Sequence, residues 1–272
     1  MNSMTRLVAC AGVIFIAFCG QARAVDTLAG VEHRSITSEE RQTDLDVTIW
    51  YPAAAGGETV SLGENIFFEG TPARQGAPIR SGTFPVVLLS HGAGLAGRAE
   101  AMSWIATPLA QDGFIVVAPT HPGNTGRDRS AEQTMKLWLR PSDLSEALDA
   151  IETDPTFQPH IAPDRVGVLG LSMGGSSALS MVGARLDPER FAGYCDTGDR
   201  NPSLCSWVQQ SGVDLHAMDK SLVGRDNSDP RVRFVMAIDP APADIFAMAS
   251  LADVEAPVSI VNLGDVSEIP ET

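Results

Sequence analysis

Positive charge is the scarcest commodity in this sequence. Against 34 Asp and Glu there are 19 Lys and Arg, a formal net charge of −15 over 272 residues. Nothing in such a chain offsets phosphate repulsion, so nucleic acid is excluded as a partner. Histidine is sparse, at positions 33, 91, 121, 160 and 216, and no Cys-x-x-Cys pair accompanies it. That leaves no ligand set for a metal, and no cofactor is implied. The acidic runs Asp196-Thr197-Gly198-Asp199 and Asp226-Asn227-Ser228-Asp229 lack the Gly and Glu spacing of a calcium loop and are expected to be solvated. Long apolar runs are missing too, so no stable membrane span is expected. What is there is a 44% hydrophobic composition with 19% charged residues, which excludes a disordered chain and suffices for one large core or two small ones.

Residues 1–24 read as a signal peptide. Arg6 supplies the positive start, Leu7 to Gly20 the apolar run, and Ala22-Arg23-Ala24 a small-x-small cleavage pattern. Phe18 argues against lipid attachment at Cys19. The mature chain is expected to begin at Val25 and to be secreted or periplasmic, with an uncleaved N-terminal anchor as the alternative. Cys10 and Cys19 leave with the signal. Cys195 and Cys205 remain, an even pair in an oxidising compartment, and a disulfide is expected between them; two free thiols are the alternative.

The organising stretch is Val166-Gly167-Val168-Leu169-Gly170-Leu171-Ser172-Met173-Gly174-Gly175. A short buried strand runs through G-x-S-x-G into a helix expected over 176–184. Such a bend puts its central residue in a strained conformation and needs small neighbours. It lifts Ser172 out of the sheet edge as a candidate nucleophile; the alternative is a Gly/Ser loop without chemistry.

Around this stretch, 31–38 and 45–51 alternate as two antiparallel strands, and 53–82 reads as a long surface loop anchored by Phe67 and Phe68. The runs 84–90 (FPVVLLS), 114–118 (FIVVA), 165–171, 233–238 (RFVMAI) and 258–263 (VSIVNL) are expected as strands buried on both faces. Helices are expected over 98–112 and 137–153. Residues 187–231 break the rhythm, apart from a short helix expected near 215–222, and read as a cap-like insert over a pocket. Alternating strands and helices imply a mostly parallel sheet with helices on both faces, and ligands in such sheets gather at the carboxyl ends of the strands. His91, His121, Ser172, Asp239 and Asp265 all lie just past strand ends.

Ser172 needs a base and two N–H donors for the oxyanion formed on attack. The donors expected are the amide of Met173, next after the nucleophile, and that of Ala93 in the His91-Gly92-Ala93-Gly94 loop.

The succession FPVVLLSHGAG, GFIVVAPTHPGN, GLSMGG and VMAIDPA resembles the serine α/β-hydrolases, most closely the platelet-activating-factor acetylhydrolase and dienelactone-hydrolase-like esterases. The resemblance runs from Val31 to Leu263, with 187–231 unmatched. Dienelactone hydrolases use a cysteine nucleophile; Ser172 in its place favours ordinary esters. The resemblance implies an α/β-hydrolase fold, cleavage of short-chain or lipid-like carboxylic esters through an acyl-enzyme, and Asp239 as the triad acid. Asp265, or less well placed Glu268, is the alternative acid after the next strand.

The base is the gap. The fold's chain order is Ser, acid, His, and no histidine follows Asp239. The expectation is a domain over 25–272 that stops before its last helix and strand and lacks the triad histidine. Two function classes therefore stand: a serine esterase, and a binding protein that kept the fold without the base. An acyltransferase or peptidase on the same scaffold differs only in acceptor or scissile bond.

Overall fold

The computed structural model describes residues 28–65, 69–94, 97–125 and 128–264. The signal-peptide reading, Phe67 and Phe68, and the carboxylates of Asp265 and Glu268 lie outside the described residues.

The fold is built on one sheet of nine strands among the described residues, in the order β3-β4-β1-β2-β6-β5-β7-β8-β9. β1 (Leu28–Ser38) and β2 (Thr43–Ala53) form the expected hairpin, in register from Leu28↔Ala53 to Ser38↔Thr43. The stretch expected as a loop over 53–82 is corrected: it carries β3 (Glu58–Leu62) and β4 (Thr71–Gln75), a second hairpin that joins β1 in parallel. Each of these two strands buries a single side chain, Leu62 and Ala73. Five mostly polar residues carry too little alternation to announce a strand. Pro72 is tolerated there because β4 pairs with β1 only at Arg74 and Gln75, which leaves Pro72 without a partner on that side.

β5 (Phe84–Ser90), β6 (Ile115–Pro119), β7 (Ile161–Leu171), β8 (Val232–Ile238) and β9 (Val258–Val261) form the parallel part, joined to the hairpins through the antiparallel β2–β6 pair. The period-two geometry of a strand divides their side chains between two cores. Ile115 and Val117 join Val86, Leu88, Val47 and Ile49 on one face, while Val116 and Ala118 join Trp50 and Leu89 on the other. Helix α1 (Ser103–Gln111), entered through a 3-10 turn at Ala99–Met102, packs Ala106 and Ala110 against the second face. The first face is covered by α2 (Ala131–Met135), α3 (Arg140–Thr153) and α4 (Met173–Ser180), the last beginning three residues earlier than the sequence pattern suggests. Helices on both faces are therefore present as expected.

Residues 187–231 hold α5 (Pro188–Ala192), a 3-10 turn at Gly193–Cys195 and α6 (Pro202–Gln210). Cys195 and Cys205 form the expected disulfide, with Cα atoms 5.2 Å apart. Phe191, Tyr194, Leu204, Val208, Leu215 and Val223 belong to the same core as α3 and α4. Arg225 ties the segment to Glu40 and Ser142, and Arg231 to Asp149 and Glu152 of α3. The helix expected at 215–222 does not form; that stretch is turns. The carboxylates of Asp214 and Asp219 accept from the amides of His216 and Ser221, each at 2.9 Å, and such local bonds offer the backbone an alternative to helix. A last short helix, α7 (Met248–Ala252), precedes β9. The described sheet ends there with Phe234, Ile260 and Val261 exposed. Among the described residues no helix is long and apolar enough to cross a membrane.

Candidate active site

Ser172 sits between the last residue of β7 and the first of α4, with φ 54° and ψ −119°. An L-residue in this region is strained by about 1–3 kcal/mol and persists only where its surroundings hold it. Here the Ser172 amide donates to Ile238 O at 2.9 Å, and Ser172 O accepts from Gly175 N at 2.8 Å and Ala241 N at 3.2 Å. Two glycines make the bend possible. A Cβ at Gly170 would run into the carbonyl of Gly174, and one at Gly174 into the carbonyl of Ser90 on the neighbouring strand. The hydroxyl is half-buried and makes no hydrogen bond among the described residues.

Ser172 opens into a pocket of about 520 Å³ whose walls include Ala93, Gly94 and Met173, a volume in the usual range for a small-molecule site. The Met173 amide is the first of α4 and so has no acceptor within the helix. The Ala93 amide likewise has no protein acceptor among the described residues. Both residues nominated as donors thus line the pocket that Ser172 lines.

Asp239 follows β8 as Ser172 follows β7, and the preceding residues, Leu171 and Ile238, are register partners. Its backbone is also left-handed, with φ 47°, and its amide donates to Val261 O at 2.6 Å. The carboxylate is exposed and without a partner among the described residues. It stands at the same sheet edge as Ser172 but is not part of the pocket wall, which reaches Ala241 instead.

All five histidines are placed, and each is engaged away from Ser172. His33 bonds Thr48 within the β1–β2 hairpin, His160 bonds Gly82 O at the far end of β7, and His216 pairs with Asp196 beside the disulfide. His91 and His121 are fully buried. His121 Nδ1 lies 2.6 Å from Asp143 Oδ2, and its Nε2 lies 2.9 Å from Ser90 Oγ. This is the connectivity of a catalytic Ser-His-Asp relay, yet all three residues have no solvent exposure. No substrate reaches it, so it is a structural network.

The network extends through ions. Asp143 accepts from Arg41 Nε at 2.5 Å and Nη2 at 2.7 Å. Burial holds both His121 and His91 well below the usual imidazole range. His91 then accepts from the His121 amide through Nε2 and donates from Nδ1 to Gly92 O. Arg140, buried in the same layer, donates to His91 O, to Ser177 Oγ of α4 at 3.1 Å and to Asn124 Oδ1 at 3.3 Å. One guanidinium thus ties the loop bearing Ala93 to the helix bearing Met173 and to the pocket residue Asn124. Sequence reasoning missed Ser90, Arg140 and Asp143; their only signal was polarity at positions the strand and helix periods assign to the interior.

The candidate calcium runs are occupied by their own neighbours. Asp196 holds His216, Asp199 the Thr197 hydroxyl, and Asp226 the Ser228 amide. No group of three metal-ligating side chains occurs among the described residues.

Comparison with known proteins adds to this geometry. Residues 86–269 match the sequence model described as "Alpha/beta hydrolase family". No curated protein matches the chain. Among solved structures, a ferulic acid esterase from Streptomyces cinnamoneus aligns with a TM-score of 0.54 at 18% identity, over 92% of this chain and 68% of its own. An esterase from Pyrobaculum calidifontis aligns with a TM-score of 0.37 at 16% identity, over 78% of this chain and 44% of its own. A dienelactone hydrolase from Klebsiella pneumoniae, described as putative, gives 0.43 at 12% identity, over 86% of this chain and 71% of its own. At such identity the first likeness speaks to the fold alone.

Proposed function

The chain belongs to the alpha/beta hydrolase family, and on that premise we propose that it is an exported serine hydrolase of carboxylic esters, short-chain or lipid-like. The observation that carries this is the left-handed backbone of Ser172 at a strand-to-helix bend, with its hydroxyl free in a pocket. Ser172 Oγ attacks the ester carbonyl and passes its proton to a general base, a role that none of the five histidines fills in the described structure. The carbonyl oxygen becomes an oxyanion held by the Met173 and Ala93 amides, each worth about 10²–10³ in rate. The alcohol leaves with a proton, and water then cleaves the acyl-enzyme to release the acid and restore the hydroxyl. Asp239 is the acid that orients the base, with Asp265 as the alternative; its left-handed, unpartnered position at the nucleophile's sheet edge supports Asp239. Export through residues 1–24 agrees with a Cys195–Cys205 disulfide, which needs an oxidising compartment.

One observation favours a second reading. None of the five histidines stands at Ser172, and a site without its base keeps only about 10³–10⁴ over water. A binding protein on the same scaffold would look the same. Treatment with a fluorophosphonate, followed by mass spectrometry of the Ser172 peptide and p-nitrophenyl acetate hydrolysis, separates the two. Labelling and turnover that vanish in Ser172→Ala establish the hydrolase. An unlabelled Ser172 in folded protein overturns it in favour of the binding protein.

A further inference from the structure

Among the described residues that line the Ser172 pocket, Arg129 alone is charged. Its guanidinium carbon lies 4.8 Å from the centroid of the Trp207 ring, which reaches the same pocket from α6. Among the described residues the guanidinium has neither an ion pair nor a hydrogen bond. Arg41, Arg225 and Arg231, by contrast, each hold a carboxylate. The adjacent acid, Asp128, is turned to the Gly123 amide at 2.7 Å. A backbone bridge between Asn124 and Arg129 fixes where the side chain starts.

A guanidinium over an aromatic face loses little by staying there and keeps its in-plane N–H groups for another partner. Those groups fit a carboxylate in a two-pronged bond, the strongest that arginine makes. The pocket's other polar walls, Asn124, Thr125, Asn201 and Ser203, are neutral. We propose that Arg129 is a specificity-determining residue, and that the esters this pocket takes carry a carboxylate, as half-esters of dicarboxylic acids do. Trp207 holds the guanidinium and covers the apolar chain between the carboxylate and the ester. This rests on Ser172 being the residue that meets the ester.

The test uses the folded chain and two amides that Ser172 cannot cleave at a useful rate. N-butylsuccinamic acid carries the carboxylate; N-butyl-4-methylpentanamide puts a neutral branched end in its place. Titration by calorimetry is expected to show the acid binding about fivefold or more tightly, with the gap shrinking as salt rises. Arg129→Ala is expected to remove the preference and Arg129→Glu to reverse it, with far-UV circular dichroism confirming the fold of each. Equal binding of the two amides, binding of neither, or a preference that survives in Arg129→Ala overturns the proposal. Fluorophosphonate labelling is scored separately. If Ser172 stays unlabelled while the Arg129-dependent preference is present, the hydrolase reading fails and only the carboxylate preference of the pocket stands, for a ligand that is bound and not cleaved.

Discussion

Ser172 and Gly174 are bound to one another more tightly than a five-residue motif suggests. Gly174 lets α4 pass the carbonyl of Ser90, and that close approach keeps Ser172 in its left-handed conformation. Gly174→Ala is therefore expected to cost about 1–3 kcal/mol, the usual penalty for an overfilled site, read as a lower denaturant midpoint. Arg140 belongs to the same scale. Arg140→Met leaves His91 O, Ser177 and Asn124 without their donor in a buried layer. A loss of about 1–3 kcal/mol is expected by chemical denaturation, since buried acceptors are left unsatisfied. Arg140→Lys, which keeps the charge but not the three-way reach, should fall between.

At the level of elements, the ends of β5 and β6 and the first turn of α3 form a buried polar layer, and its two histidines contribute to stability with a definite sign. Buried His91 and His121 have folded pKa values below their unfolded ones. Below about pH 6.5 the unfolded chain takes up protons that the folded chain refuses, so stability is complete above that pH and falls as pH drops through it. Each ring contributes a slope of up to about 1.4 kcal/mol per pH unit. The melting temperature is expected to fall between about pH 6.5 and 5, and His121→Gln should flatten that slope. The α6 segment carries its own test. Reduction of Cys195–Cys205, which closes a short loop, is expected to cost about 2–3 kcal/mol.

These elements also show what could be read in advance. Strands β5 to β8 were legible because burial on both faces writes itself as unbroken aliphatic runs. The elbow was legible because its glycines answer to steric contacts that no other residue permits. The β3–β4 hairpin was not, because five polar residues at a sheet edge bury one side chain each. The absent helix at 215–222 shows the converse, an apparent pattern overruled by Asp214 and Asp219 bonding their own backbone. The Ser90-His121-Asp143 layer was hidden for another reason: its residues lie 31 and 22 positions apart, and only strand order brings them together.

For the molecule as a whole, the excess of acids sets a background field. A formal charge of −15 repels itself in the compact state, and salt screens that repulsion. Raising sodium chloride from about 10 to about 150 mM is expected to raise the melting temperature while weakening carboxylate binding at Arg129. The two responses run in opposite directions in one titration, which separates the global field from the local one.

The amide of His121 points at the ring of His91 rather than at a carbonyl. Its bond lasts only while that imidazole is uncharged, since a doubly protonated ring has no lone pair to offer. In deuterium oxide near neutral pH this single N–H should therefore exchange as slowly as those in the middle of the sheet. In mild acid it should stay as protected, because the folded chain keeps that ring uncharged, and it should open to deuterium only together with the fold itself.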